Sequence, residues 1–204
     1  FYSFAKANSI NVVRDAEIEN LLKDISKILV RGTQLENDVL TFYLDNQKFI
    51  NALVTPDKKF FFTTELLLKS KNVEDVAGVI SHEIGHVIGG HFQKRQKKME
   101  KNSVINILSS ILAVGAIAGG AYEAGSAILM GGQHLSMSRM LSFSRSQESL
   151  ADQTAIRLLK RNGFSLQGLI NVFNEIQKNE KLRKINPYFL THPLSTERIR
   201  NIKI

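Results

Sequence analysis

The residues best suited to chemistry are His82, Glu83 and His86, in the run His-Glu-Ile-Gly-His at positions 82–86. Two histidines four residues apart share one face of a helix, so both imidazoles reach a single ion. Glu83 is rotated by one residue from His82 and approaches a water on that ion without being a ligand. A zinc ion lowers the pKa of such a water towards 7, and the carboxylate takes its proton as the oxygen attacks a peptide carbonyl. Runs of this kind also occur by chance in unrelated chains, so a third ligand is needed.

His91 is a tempting third ligand, because Gly89 stands where the metzincin pattern places a glycine. That pattern would put the histidine at position 92, which is Phe92. On a continuous helix at 100° per residue, His91 lies about 180° from His82. It reads as a supporting histidine. A carboxylate from a later helix is the stronger candidate. Glu148 and Asp152 sit at i, i+4 in Ser-Gln-Glu-Ser-Leu-Ala-Asp. Glu148 then ligates the ion, while Asp152 turns to the ring nitrogen of a ligand histidine and fixes its tautomer. The plain alternative is an exposed acidic pair.

These residues must be positioned by helices. Asn72 caps a helix that runs through Val73, Val76, Ala77, Val79 and Ile80 into the 82–86 motif. A second helix spans about 146–162 and ends at Gly163. Ser165 caps another to about 178, 179–184 form a polar linker, and Ser195 caps a short final helix. Upstream, Ile18, Leu21, Leu22, Ile25, Ile28 and Leu29 recur at helical spacing over 15–30, with Gly32 as C-cap. Residues 39–44, 49–54 and 59–63 read as strands, with a turn at Pro56-Asp57. A short helix starts near Thr64. The strand 59–63 is a candidate edge strand that accepts substrate as an added strand.

Residues 104–121 are mostly apolar and could reach roughly 27 Å as a helix, near a membrane span. Asn106, Ser109 and Ser110 form a polar stripe, and Gly115, Gly119 and Gly120 crowd the second half. A buried helix, or one lying in a membrane surface, is expected rather than a span. Residues 119–135 read as a Gly-rich mobile loop, a lid over the site.

Composition frames the rest. The 204 residues, 43% hydrophobic and 23% charged, suit a globular chain rather than a disordered one. The zero cysteine count excludes disulfides and thiolate sites, so any metal is held by His and carboxylates. The charge of +8 gathers only at Lys94, Arg95, Lys97, Lys98 and Lys101. With no interleaved aromatics and no phosphate loop there, nucleic acid is not expected. A solvated helix C-terminus is the plain reading, and a peripheral membrane contact is the other. The chain opens on Phe1, as a mature or trimmed form would.

The segments His-Glu-Ile-Gly-His-Val-Ile-Gly-Gly-His-Phe, Ser-Arg-Ser-Gln-Glu-Ser-Leu-Ala-Asp and Thr-His-Pro-Leu-Ser-Thr-Glu-Arg, in this order, resemble the gluzincin metallopeptidases that include HtpX and the CAAX prenyl protease. The likeness runs from about 14 to 202 and leans to the BepA-like periplasmic subgroup, without its TPR repeats. The resemblance implies one Zn2+ per chain on His82, His86 and Glu148, with Glu83 as base. His192 matches the histidine of the family's His-Pro loop. It is then either a fourth-ligand latch that keeps the enzyme latent or a catalytic group that stabilises the oxyanion. Arg198 matches the arginine of the same motif and holds the loop or binds substrate backbone.

The expectation is an α+β fold: a mainly helical zincin-like domain with a small antiparallel sheet beside the zinc helix. One metallopeptidase domain over 1–204 would comprise an N-terminal helix and sheet (1–72), the zinc helix (73–102), an apolar helix and mobile loop (103–145), and a helical part with the third ligand and His-Pro loop (146–204). The expected function is zinc-dependent endopeptidase cleavage of unfolded or misassembled envelope proteins in the periplasm, with polypeptide substrates and the outer-membrane assembly machinery as partners. The rivals are a metal-binding chaperone or adaptor, and an integral membrane protease of the HtpX type.

Overall fold

The computed structural model describes residues 11–182, His192 and residues 196–202. Helix α1 (Ala16–Val30) starts at Asp15, whose side chain accepts from the amides of Glu17 and Ile18. It lays Leu22, Ile25 and Leu29 on the core. Four strands follow the chain order β1 (Val12–Val13), β2 (Thr41–Asp45), β3 (Ala52–Val54) and β4 (Lys59–Thr63). The inward residues Phe42, Leu44, Phe60 and Phe62 are buried, whereas Tyr43 and Phe61 stack on the other face at 5.1 Å. This is the period-2 alternation of a strand.

The spatial order is β1-β2-β4-β3. The β3–β4 pair is antiparallel, but β2 and β4 run parallel, with Phe42 opposite Phe60. The sheet is therefore mixed rather than antiparallel. The chain leaves β2, crosses the sheet through residues 46–51, and β3 folds back so that β4 re-enters alongside β2. Strand β4 is consequently central. The strand 59–63 is thus not the edge strand expected of it; that edge is β3, which packs beside the helix carrying the 82–86 motif.

Helix α2 (Thr64–Lys69) is capped by Thr63, and α3 (Val73–Ile88) by Asn72, whose side chain accepts from the Asp75 amide at 3.0 Å. Helix α3 ends at Gly89, and Gly90 takes a left-handed turn at φ 60°. A new helix, α4 (His91–Ala118), starts there. The helix that carries the 82–86 motif therefore stops at 88 instead of running to 102. The cationic cluster 94–101 lies in the first third of α4 rather than at a helix C-terminus.

Helix α5 (Tyr122–Arg161) follows after a three-residue turn and packs antiparallel to α4. The expected Gly-rich lid over 119–135 is therefore mostly helix. Two of its glycines mark close packing: a Cβ at Gly125 would stand 2.7 Å from the Ala113 carbonyl, and one at Gly132 would overlap Ser109. Gly163, at φ 76°, closes α5 as expected. Helix α6 (Gln167–Leu182) continues through the expected polar linker as far as Leu182, and α7 (Thr196–Ile202) is the final helix. The caps and loop residues expected at Ser195, Thr191 and Pro193 lie outside the described residues.

Candidate metal centre

Helix α3 carries His82, Glu83 and His86 on its buried side, and α5 crosses it with Glu148 and Asp152. Gly85 allows that approach, since a Cβ there would lie 2.7 Å from the Ala151 carbonyl oxygen. One ligand-capable atom from each of His82, His86, Glu148 and His192 lies within 4.8 Å of the others, and all four residues are buried.

Five of the six donor pairs approach at similar distances, and the sixth, His86 with His192, lies within 4.8 Å. The His82 Nε2 and His86 Nε2 atoms are 3.1 Å apart. Glu148 places Oε2 3.3 Å from His82 Nε2 and Oε1 3.4 Å from His86 Nε2. His192 Nδ1 stands 3.4 Å from His82 Nε2 and 3.3 Å from Glu148 Oε2. An ion bound tetrahedrally at 2.0–2.1 Å from each donor would separate the donors by about 3.3 Å. The residues present thus fit a small divalent cation. Two imidazole nitrogens that face one another at this distance also need a proton or a cation between their lone pairs.

Glu83 lies beside this set. Both of its oxygens are buried with no hydrogen-bond partner among the described residues, and Oε1 is 3.6 Å from His192 Nε2. Desolvated carboxylates without donors are rare in folded proteins and mark functional positions.

A second layer holds the donors in place. Asp152 Oδ1 is 2.9 Å from His82 Nδ1, which puts the ring proton there and leaves Nε2 free to ligate. Arg198 clamps Asp152 with both arms, Nε at 2.7 Å and a terminal nitrogen at 2.8 Å, and reaches Glu148 Oε2 at 3.0 Å. Its guanidinium also lies 4.8 Å from the centre of the Phe173 ring. Arg198 is buried on these partners, which suits holding the carboxylates better than binding substrate backbone.

Burial pulls the His82 imidazole down, but Asp152 and Glu148 outweigh it and raise its pKa to about 9. Burial, and next the charge on His82, hold His86 well below the usual histidine range. Burial raises Glu148, yet the neighbouring His192 and His82 bring it well below the carboxylate range. Asp152 is likewise held down by Arg198 and His82 against burial. Negative charge is therefore stored at the two carboxylates, as a cation site requires.

His91 is brought to the site by the break at Gly89–Gly90, which the continuous-helix reading did not foresee. Its Nδ1 is 2.9 Å from His86 Nδ1. Burial, and next Lys94, push it down to about 4, so it is neutral near pH 7. Gln147 donates from Nε2 to the His91 carbonyl at 2.8 Å and ties the start of α4 to α5. Gln147 and Phe173 carried no sequence signal. Both gain their role only from how α5 and α6 pack.

Comparison with known proteins gives consistent matches. The family model described as Peptidase family M48 matches residues 14–204. A protein named "Beta-barrel assembly-enhancing protease" from Yersinia pestis is 26% identical over 207 residues, covering 100% of this chain and 42% of its own length. "Metalloprotease YcaL" from Escherichia coli (strain K12) is 31% identical over 137 residues, covering 67% of this chain and 51% of its own length. "Mitochondrial metalloendopeptidase OMA1" from Saccharomyces cerevisiae is 26% identical over 198 residues, covering 91% of this chain and 54% of its own length. The chain therefore spans about half or less of these relatives.

Proposed function

Because the chain belongs to peptidase family M48, a family of metalloendopeptidases, we propose that it is a zinc-dependent endopeptidase held latent by His192. The observation that carries this reading is the convergence of His82, His86, Glu148 and His192 within 4.8 Å beside Glu83, whose buried oxygens accept no hydrogen bond among the described residues. Two histidines and one glutamate with a replaceable fourth position suit zinc better than magnesium or calcium, which take all-oxygen sites. His82, His86 and Glu148 would hold the ion. When bound, zinc acts as a Lewis acid that acidifies water and polarises the scissile carbonyl.

The remaining work falls to the side chains. Glu83 accepts a proton from the attacking water and returns it to the leaving amine, as general base and then acid. A metal-binding adaptor would have no use for such a carboxylate, which favours the enzyme over the adaptor. Asp152 fixes the His82 tautomer, and Arg198 holds Asp152 and Glu148 in register. His192, which stands between Glu83 and the other donors, would leave before substrate enters. Substrate would lie extended along β3, the edge strand beside α3.

For the setting, the reading takes misassembled or unfolded envelope proteins as clients and the periplasm as compartment; a relative's name, which speaks of β-barrel assembly, is in keeping with it. The test is incubation of zinc-loaded His192→Ala, and of the same protein with Glu83→Gln added, with unfolded casein, with products read by mass spectrometry. Internal cuts by His192→Ala that vanish when Glu83 is also replaced, with zinc retained, support the reading. Binding of casein without cuts by zinc-loaded His192→Ala would favour the adaptor.

A further inference from the structure

The outer face of α4 has an unusual distribution of side chains. Lys94, Lys97, Lys101, Val104, Leu108 and Ile111 follow one another at spacings of three and four, so they form one stripe along the helix. The first half of this stripe is cationic and exposed. The second half is aliphatic and equally exposed: Val104 is 63%, Leu108 55% and Ile111 63% accessible. Ile107, Leu112 and Val114 widen the aliphatic half and are also exposed.

Asn102, Asn106 and Ser109 face the α4–α5 seam, while Glu100 is the one exposed acid between Lys97 and Val104. Asn102 is buried and donates to the Ser136 carbonyl at 3.2 Å, and the Ser136 hydroxyl donates to Asn106 at 2.8 Å. A helical pair with apolar residues outside and small or polar residues inside is inverted relative to one packed for water. Within α4 an 18-residue window has a mean hydropathy of 1.4, yet only 11% of it is buried in the protein.

From this inverted hairpin and its lysine-to-aliphatic stripe we propose that the outer face of α4 docks on an anionic lipid bilayer. Val104, Ile107, Leu108, Ile111 and Leu112 enter the acyl boundary, and Lys94, Lys97 and Lys101 sit on lipid phosphates. The charge pattern selects this occupant: an uncharged partner surface would have no use for a basic run continuing the apolar stripe. The contact is interfacial and not spanning. The partner helix α5 carries Glu123 in its first turn and Gln133 and His134 in the groove beside the same seam, and these are costly at bilayer depth. Docking does not depend on peptidase chemistry. It sets the peptidase centre close to the membrane, since Glu148 lies on the same α5 that backs α4.

Flotation of the chain with vesicles tests this, using phosphatidylglycerol/phosphatidylethanolamine vesicles and pure phosphatidylcholine vesicles at low and high salt. Expected is flotation with the anionic vesicles, weakened by salt and released by alkaline carbonate. Lys94→Ala, Lys97→Ala and Lys101→Ala together should weaken binding roughly a hundredfold, at about a fivefold loss per lysine. Leu108→Asp with Ile111→Asp, both at exposed positions, should abolish it with unchanged circular dichroism. No flotation of the wild type, or flotation indifferent to both variants, overturns the proposal. Resistance to carbonate means a spanning helix and overturns it as well. So does a lipid-free dimer, dispersed by Leu108→Asp, that never floats.

Discussion

His91 Nδ1 lies 2.9 Å from His86 Nδ1 across the helix break at Gly89–Gly90. If His86 ligates through Nε2, its proton sits on Nδ1 and is donated to His91, which is neutral near pH 7. His91 therefore orients one donor in the way Asp152 orients the other.

His91→Ala is expected to weaken zinc affinity by roughly 10–100-fold, the usual cost of losing such a partner. Gly89→Ala should do much the same, because its Cβ would fall on the His91 ring. Competition with a chromophoric chelator measures both. Unchanged affinity in both variants would show that the His86–His91 contact is incidental.

His192→Ala should retain zinc and cleave casein faster than the wild type, since the fourth position is vacated. Glu83→Gln should retain zinc and lose about 10²–10⁴-fold in rate, the range for general acid–base catalysis. Single-turnover rates alongside metal analysis separate the two. A His192→Ala protein that holds zinc but is inactive would make His192 a catalytic group and not a latch.

Arg198→Ala breaks a buried two-armed pair with Asp152 and strands two carboxylates. Losing one partner of a buried pair costs about 3–5 kcal/mol. Arg198→Lys should recover little of this, because an ammonium cannot reproduce the paired geometry. Urea unfolding of the three proteins checks it. A loss under 1 kcal/mol would contradict the account.

In metal-free protein the His82 pKa is raised from 6.5 to about 9, chiefly against burial and through Asp152 and Glu148. A raised folded pKa contributes stability that is complete below 6.5 and is lost as pH rises through 9. The depressed Asp152 and Glu148 carboxylates act oppositely. Their contribution is present above the ordinary carboxylate range and is lost only in stronger acid. Metal-free protein should therefore lose stability between pH 6.5 and 9, by a few kcal/mol at most. Zinc replaces that proton, so the loaded protein should show a flatter profile. Urea midpoints across this range read the difference.

Much of the site was legible because its signals are local. The spacing of His82 and His86, and of Glu148 and Asp152, follows from helical periodicity, and Asn72 and Gly163 announce helix ends through their own chemistry. The helix break and the supposed lid were hidden for one reason. What a glycine does depends on neighbours that the sequence alone does not show. Gly90 breaks a helix through its positive φ, whereas Gly125 and Gly132 permit a tight seam, and one-dimensional spacing does not distinguish the two uses. The parallel pairing of β2 with β4 is likewise a relation between segments that no local pattern encodes. His91, Gln147 and Phe173 are drawn to the centre only by how the helices cross.

The most direct test of the central claim is the zinc content of the chain purified without chelator, compared with Glu148→Ala. One equivalent in the wild type and a marked loss in the folded variant are predicted. No zinc in the wild type, or full retention after Glu148 is removed, would contradict the assignment of these residues as the metal-holding set.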